Sequence, residues 1–350
     1  MKRIMFYTMT MNSGGAERVI ANLSNEFVKN NDVSIVTLTS CRNDYTLDKK
    51  ITFISSAKQE KNNISNRLIN CIKLLKNTKK YNPDIIIAFC PTMCFIACFF
   101  KIFIRKFKNI KLIISERNNP NREYTNVVLK KMANFLYSKA DVVVFQTTAA
   151  KNYFNKKVQS KGIIIPNPIN DKFLNCNINL KKENVIVNIG RLEKQKNQEL
   201  LIRACATIFK KNPNWKLKIY GEGSLKLQLQ NLIKELKMEK NIFIMGRCNE
   251  LELELPKNKI FVLSSDYEGM PNALMEALAC GLTCVSTNCP CGGPNELIKD
   301  GINGYLVPVG DLERMTDAII KAINNPLKGN KNELKKYSSS NILKKWTDLF

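Results

Sequence analysis

The stretch KIFVLSSDYEGMPNALMEALACGLTCVST (259–287) decides the fold. FVLSS (261–265) is a short, continuously apolar run bounded by turn residues, which reads as a buried strand. Pro271 suits the first position of a helix that stops at Gly281, and LTCVST (282–287) begins another strand. Strand, turn, helix and strand in immediate succession form the unit of a parallel sheet covered on both faces.

The same pattern repeats outward in both directions. On the N-terminal side the strands are predicted at 3–8, 33–38, 51–54, 84–89, 110–114, 141–145 and 162–165, with helical stretches at 15–29, 64–80, 92–107 and 123–139. After IPNPIND (165–171) the pattern starts afresh, with strands at 184–190, 215–221, 241–246, 259–265, 282–287 and 304–308. At 350 residues the chain exceeds one usual core. The expected fold class is α/β, with two doubly wound, Rossmann-like domains facing each other across a cleft. The first spans 1–168 and the second 169–330, and a C-terminal helix over 331–350 packs back toward the first. In such sheets ligands bind beyond the carboxyl ends of the strands, so the turns there are where chemistry is sought.

Composition narrows the function classes. The sequence holds 12 cysteines and no histidine, and it contains no C-x-x-C pair. Zinc is therefore not expected; the cysteines, including Cys90, Cys94 and Cys98 at helical spacing, read as free thiols and small core residues. MKRIMFYTM starts at once as a strand, without a secretory pattern, so the expected location is the cytoplasm. IIIAFCPTMCFIACFFKIFI (85–104) is interrupted by a proline and a lysine and reads as strand plus helix, not a bilayer span. Net charge is +25, and residues 1–170 carry 28 Lys+Arg against 10 Asp+Glu, a net of +18. That field favours anionic partners: nucleic acid, lipid head groups or phosphorylated substrates. No nucleic-acid-binding motif accompanies it.

Four glycine-bearing turns sit at predicted strand ends. Gly14 and Gly15 open the first helix, where bare N–H groups and a close backbone suit a phosphate. Arg191 and Lys196 follow the strand at 184–190 and are suited to a diphosphate. Gly246 and Arg247 end the strand at 241–246, where a flat base can lie. Gly292, Gly293 and Pro294 precede Glu296. YGEGSL (220–225) lacks the third glycine of a dinucleotide fingerprint and carries little weight by itself. In the opening stretch Glu268 stands before a helix start, while Glu276 lies about 7–8 Å along that helix among Leu274, Ala277 and Leu278. Carboxylates accept pairs of hydroxyl hydrogens, so two of them flanking a helix start fit a polyhydroxylated ligand with a phosphate between two sugars.

With these motifs in order along the chain, the sequence resembles the retaining glycosyltransferases of family 4, group 1 enzymes of the GT-B arrangement. The resemblance rests on NSGGAERV (12–19), ISERNNP (114–120), IPNPI (165–169), GRLEKQKN (190–197), GEG (221–223), SSDYEGMPNALMEALACG (264–281) and GGPNELIKDGINGYLVP (292–308). It implies transfer of a hexose or N-acetylhexosamine from a nucleotide sugar, UDP-linked, to a glycan acceptor. A polyprenyl-diphosphate-linked acceptor fits, as in cell-surface polysaccharide or glycoprotein glycan assembly. By the same resemblance Arg191, Lys196 and Glu268 are catalytic. Gly15, Arg247, Gly269, Met270, Pro271, Asn272 and Glu276 bind the donor, and Glu116 and Arg117 are acceptor-side candidates. No metal or other cofactor is implied beyond the nucleotide-sugar co-substrate. Several relatives place a histidine in the first domain near the sugar; here SERNNP (115–120) stands at about that place and the chain has no histidine, so no histidine acts as base. An anionic membrane surface at the cytoplasmic face is a candidate partner, through FFKIFIRKFKNIK (99–111). A nucleotide-sugar epimerase of the same layout is the alternative reading, and a basic nucleic-acid binder a remoter one.

Overall fold

The computed structural model describes residues 1–12, 14–39, 42–56, 64–329 and 331–350. Ser13 of the NSGGAERV motif lies outside the described residues. The chain forms two compact units, Met1–Asn167 with Ile342–Phe350, and Pro168–Asn341. Among the described residues the first unit has seven strands: β1 (Arg3–Thr8), β2 (Asp32–Thr37), β3 (Thr52–Ser55), β4 (Ile85–Phe89), β5 (Lys111–Ser115), β6 (Val142–Phe145) and β7 (Gly162–Ile164). They are parallel throughout, in the order β3-β2-β1-β4-β5-β6-β7. The second unit has six: β8 (Glu183–Ile189), β9 (Lys216–Tyr220), β10 (Ile242–Gly246), β11 (Asn258–Leu263), β12 (Thr283–Thr287) and β13 (Tyr305–Val307). They too are parallel, in the order β10-β9-β8-β11-β12-β13.

The strand runs are apolar on both faces because helices cover both. Ile186 and Val262 face a core with Leu201, Cys205 and Met315, while Val187 and Phe261 face another with Leu274, Ala277 and Leu278. Alternate residues of one strand thus feed opposite layers, as a period of two requires. Cys94 and Cys98 are buried, and burial pushes the Cys98 thiol up to about 12. Both are core residues of the Pro91–Phe103 helix.

Three boundaries differ from the sequence reading. The expected helix over 123–139 is broken into Pro120–Glu123 and Val127–Tyr137. The Tyr124 side chain turns inward between the two pieces, and Asn126 caps the second by accepting from the Leu129 N–H at 2.8 Å. Pro271 is the extended N-cap of the Asn272–Ala279 helix, not its first residue. The expected single helix over 331–350 is instead Lys331–Leu334, a 3-10 turn and Ser339–Thr347. Ser338 interrupts it in an extended conformation, where the Ile169 N–H donates to Tyr337 O at 2.8 Å. Residues before Ile342 therefore belong to the second unit, with Leu334 and Tyr337 in its core. Residues from Ile342 onward complete the first. Trp346, fully buried, stacks on Phe89 with ring centroids 6.0 Å apart, and Phe350 meets Phe27 edge-on at 4.8 Å.

Candidate functional site

In the second sheet the winding direction reverses between β8 and β11, the neighbours from which the chain proceeds to opposite edges. A crevice at such a reversal is where open parallel sheets bind ligands. The loops after these two strands are sewn together. The Asp266 N–H donates to Gln195 O at 2.9 Å, Gln195 Nε2 to Tyr267 O at 2.9 Å, and Ser264 Oγ to Lys196 O at 2.8 Å. Asn197, held at φ +44°, donates from Nδ2 to Asp266 Oδ1 at 2.8 Å and caps the following helix through the Leu200 N–H. Across this seam Lys196 Nζ donates to Glu268 Oε1, which also accepts from Ser265 Oγ at 2.7 Å. Glu268 is 8% exposed and Glu276 4%. At the strand end a carboxylate and an ammonium are thus drawn largely out of water, a costly arrangement unless paired, and Glu276 is buried in the helix that follows. Gln195, Asn197, Ser265 and Asp266 were not singled out from sequence. Their signal was present, since KQKN and SSD are unusually polar for residues flanking buried strands.

Neighbouring turns press against this seam with no room for side chains. Gly221 sits at φ +150°, and a Cβ there would lie 1.9 Å from Gly190 O; one on Gly223 would lie 2.4 Å from Leu192 O. The GEG turn, weak as a motif, is thus the surface on which the loop bearing Arg191 rests. A Cβ on Gly293 would lie 1.8 Å from Gly269 O, so GGP is packed directly under the turn Gly269–Pro271. Arg191 is exposed, with Nη2 3.4 Å from Gln195 Oε1. Arg247 is exposed at the end of β10 and pairs with Glu222 at 3.3 Å. Met270 is buried and Asn272 half-buried at the start of the helix that carries Glu276.

The first unit holds the remaining candidates. Gly15 is the exposed first residue of the Gly15–Phe27 helix; the Gly14 N–H before it donates to the Tyr45 hydroxyl at 2.8 Å. Glu116 and Arg117 follow β5 but are turned into the protein. Glu116, 1% exposed, accepts from the Tyr124 hydroxyl at 2.7 Å and the Tyr137 hydroxyl at 3.0 Å. Burial outweighs these bonds and pushes its carboxyl up to about 7. The Arg117 guanidinium lies 4.8 Å from the Phe89 ring centroid and 5.5 Å from that of Trp346, and donates to Asn167 Oδ1 at 2.9 Å. Burial lowers its pKa to about 9.

A buried carboxyl raised from 4.5 to about 7 binds a proton more tightly in the folded state. Its contribution is complete below pH 4.5 and is lost as pH rises through about 7. Glu116→Gln, which keeps an acceptor for both tyrosines, is therefore expected to flatten the fall in melting temperature between pH 5 and pH 8. Parallel wild-type and variant curves in a pH series of thermal melts would refute that.

The chain is similar to known proteins along almost its whole length. The family described as Glycosyl transferases group 1 matches residues 171–341, and that described as Glycosyltransferase Family 4 matches residues 13–173. An uncharacterized glycosyltransferase of Haemophilus influenzae is 30% identical over 332 residues, 93% of this chain and 92% of that protein. The N-acetylgalactosamine-N,N'-diacetylbacillosaminyl-diphospho-undecaprenol 4-alpha-N-acetylgalactosaminyltransferase of Campylobacter jejuni is 30% identical over 336 residues, 90% of this chain and 88% of that protein. Among solved structures, Anabaena HepE in complex with UDP and glucose superposes with a TM-score of 0.80 at 15% identity, covering 99% of each chain. With two parallel-sheet units and relatives aligned over almost its whole length, the chain belongs to the group 1 glycosyltransferases, transferase enzymes of the GT-B fold.

Proposed function

We propose that the protein is a retaining family 4 enzyme that transfers a hexose or N-acetylhexosamine from a UDP-sugar to a lipid-diphosphate-linked glycan at the cytoplasmic face of a membrane. The observation that carries the donor assignment is the Lys196–Glu268 contact at the winding reversal, held by bonds between two loops. Lys196 and Arg191 receive the diphosphate and stabilise the charge that grows on it as the glycosidic bond breaks. Cations fixed beforehand by Glu268 and Gln195 do so without reorganisation. Glu268 accepts hydroxyls of the transferred sugar, and Glu276 those of the ribose, in keeping with carboxylate chemistry. Gly269, Met270, Pro271 and Asn272 line the sugar, and Arg247 stands by the base. Because two protein cations meet the diphosphate, no metal is required. Glu116 and Arg117 act from below, positioning the Asn118–Pro120 turn on the acceptor side. The acceptor class is drawn from relatives whose names specify undecaprenol-linked glycans.

The test is a panel of UDP-sugars incubated with purified protein, with and without EDTA and with a polyprenyl-diphosphate-linked glycan. Turnover of one UDP-sugar, undiminished by EDTA and yielding an α-linked product, is expected. Failure to consume any UDP-sugar would overturn the donor assignment, and conversion of donor to its epimer without acceptor would make the protein an epimerase.

A further inference from the structure

The first unit carries an apolar surface that plays no part in the donor chemistry. Its helices Pro91–Phe103 and Val127–Tyr137 pack side by side. Their inner faces supply Cys94, Ala97, Phe100, Ala133 and Tyr137 to the interior. Their outer faces are apolar as well. Phe99 is 52% exposed, Phe103 67%, Val128 74% and Phe135 57%, with Val127 and Met132 beside them. Val128, Met132 and Phe135 recur at i, i+4 and i+7, and Phe99 and Phe103 at i, i+4 with rings 4.5 Å apart. Each helix therefore has a second stripe with nothing to bury it. Single exposed apolar residues need no explanation; a cluster on adjoining helices does.

Charge identifies what covers it. Residues 91–139 contain ten Lys+Arg and only two acidic residues, Glu116 and Glu123. Glu116 is buried, and Glu123 accepts from Asn118 Nδ2 at 2.6 Å. Arg105, Lys106, Lys108 and Lys131 are exposed around the stripes, and Lys139 Nζ lies 4.9 Å from the Phe135 ring centroid. A second copy of this chain would bring like charge against like. An anionic bilayer would not. Among the described residues no helix is long and apolar enough to cross a membrane, so contact must be made from the side.

We propose that this two-helix face docks on anionic lipid, with Phe99, Phe103, Val128 and Phe135 entering the acyl boundary and the surrounding cations meeting head-group phosphates. The stretch 99–111 named from sequence supplies only part of it. Phe100, Phe107 and Ile110 are buried, and Lys101 Nζ is engaged by Ile110 O at 2.8 Å. The helix Val127–Tyr137 completes the face. The proposal rests on the reading that the acceptor is lipid-linked, since such an acceptor is met at a bilayer surface.

Flotation of the full chain with phosphatidylcholine vesicles, with or without roughly one-third phosphatidylglycerol, tests it. Flotation with the anionic vesicles alone is expected. A Phe99→Ser/Phe135→Ser variant should lose about tenfold or more of that binding, and Lys131→Ala should lose about fivefold. UDP-sugar hydrolysis should be unchanged in both variants, showing the donor unit intact. Absence of flotation, or variants that float like wild type, would overturn the proposal. So would binding abolished only by Leu68→Ser/Ile72→Ser, two exposed positions of the Ile64–Tyr81 helix. Flotation with normal sugar hydrolysis but no transfer to a lipid-linked acceptor would support docking while removing the acceptor reading.

Discussion

Lys196→Ala is expected to lower kcat by about 10²–10³-fold, the usual effect of removing one preorganised donor to developing charge. The side chain brings an ammonium to the loops at the winding reversal, and the Glu268 carboxylate it meets is 8% exposed. Truncation therefore has a second effect, because it removes the cation from Glu268 and leaves the hydrogen bond from Ser265. A carboxylate in that position loses stability unless it is neutralised. The single variant should thus melt somewhat below wild type, and Lys196→Ala/Glu268→Gln should recover much of that loss without recovering turnover. Steady-state kinetics and melting curves of the three proteins separate the two effects. Turnover of Lys196→Ala within fivefold of wild type would remove Lys196 from the chemistry.

Gly293→Ala is expected to be strongly disruptive for a single added methyl group. The added carbon would lie 1.8 Å from Gly269 O and 2.9 Å from Pro271 Cδ, neither of which belongs to a flexible side chain. The turn Gly269–Pro271 must shift, at a cost of about 1–3 kcal/mol. Glu268 precedes that turn and Glu276 rides on the helix behind it, so displacement should also lower turnover at least tenfold. Gly301→Ala is the control: it has φ +72° but open space around the added carbon. It should lose some stability from backbone strain and none of the activity. Equal turnover for Gly293→Ala and wild type would show that the close approach to Gly269 does not hold the site.

The strands were legible because burial on both faces leaves continuous runs such as VIVNI and IFVL, which a covered parallel sheet accommodates. Glu276 was conspicuous for a related reason, as a charge among Leu274, Ala277 and Leu278, and it is 4% exposed. What local pattern could not reveal was which loop meets which. Lys196 and Glu268 are 72 residues apart, and their contact follows from β8 lying beside β11, a fact of sheet order. The break in the helix over 123–139 was hidden likewise. Tyr124 looks helical in its neighbourhood, yet its hydroxyl is claimed by Glu116. The value of GEG also escaped a motif count, since its glycines serve close packing against Gly190 and Leu192, which a fingerprint does not register.

The inclusion of Ile342–Phe350 in the first unit has a consequence for biosynthesis. Phe89, Phe27 and the Arg117 guanidinium find their last partners, Trp346 and Phe350, in residues translated after the entire second unit. At about 5–20 residues per second a ribosome takes roughly 9–35 s to add the intervening segment. Until Ile342–Phe350 are added, the aromatic contacts of Phe89, Phe27 and Arg117 with Trp346 and Phe350 cannot form.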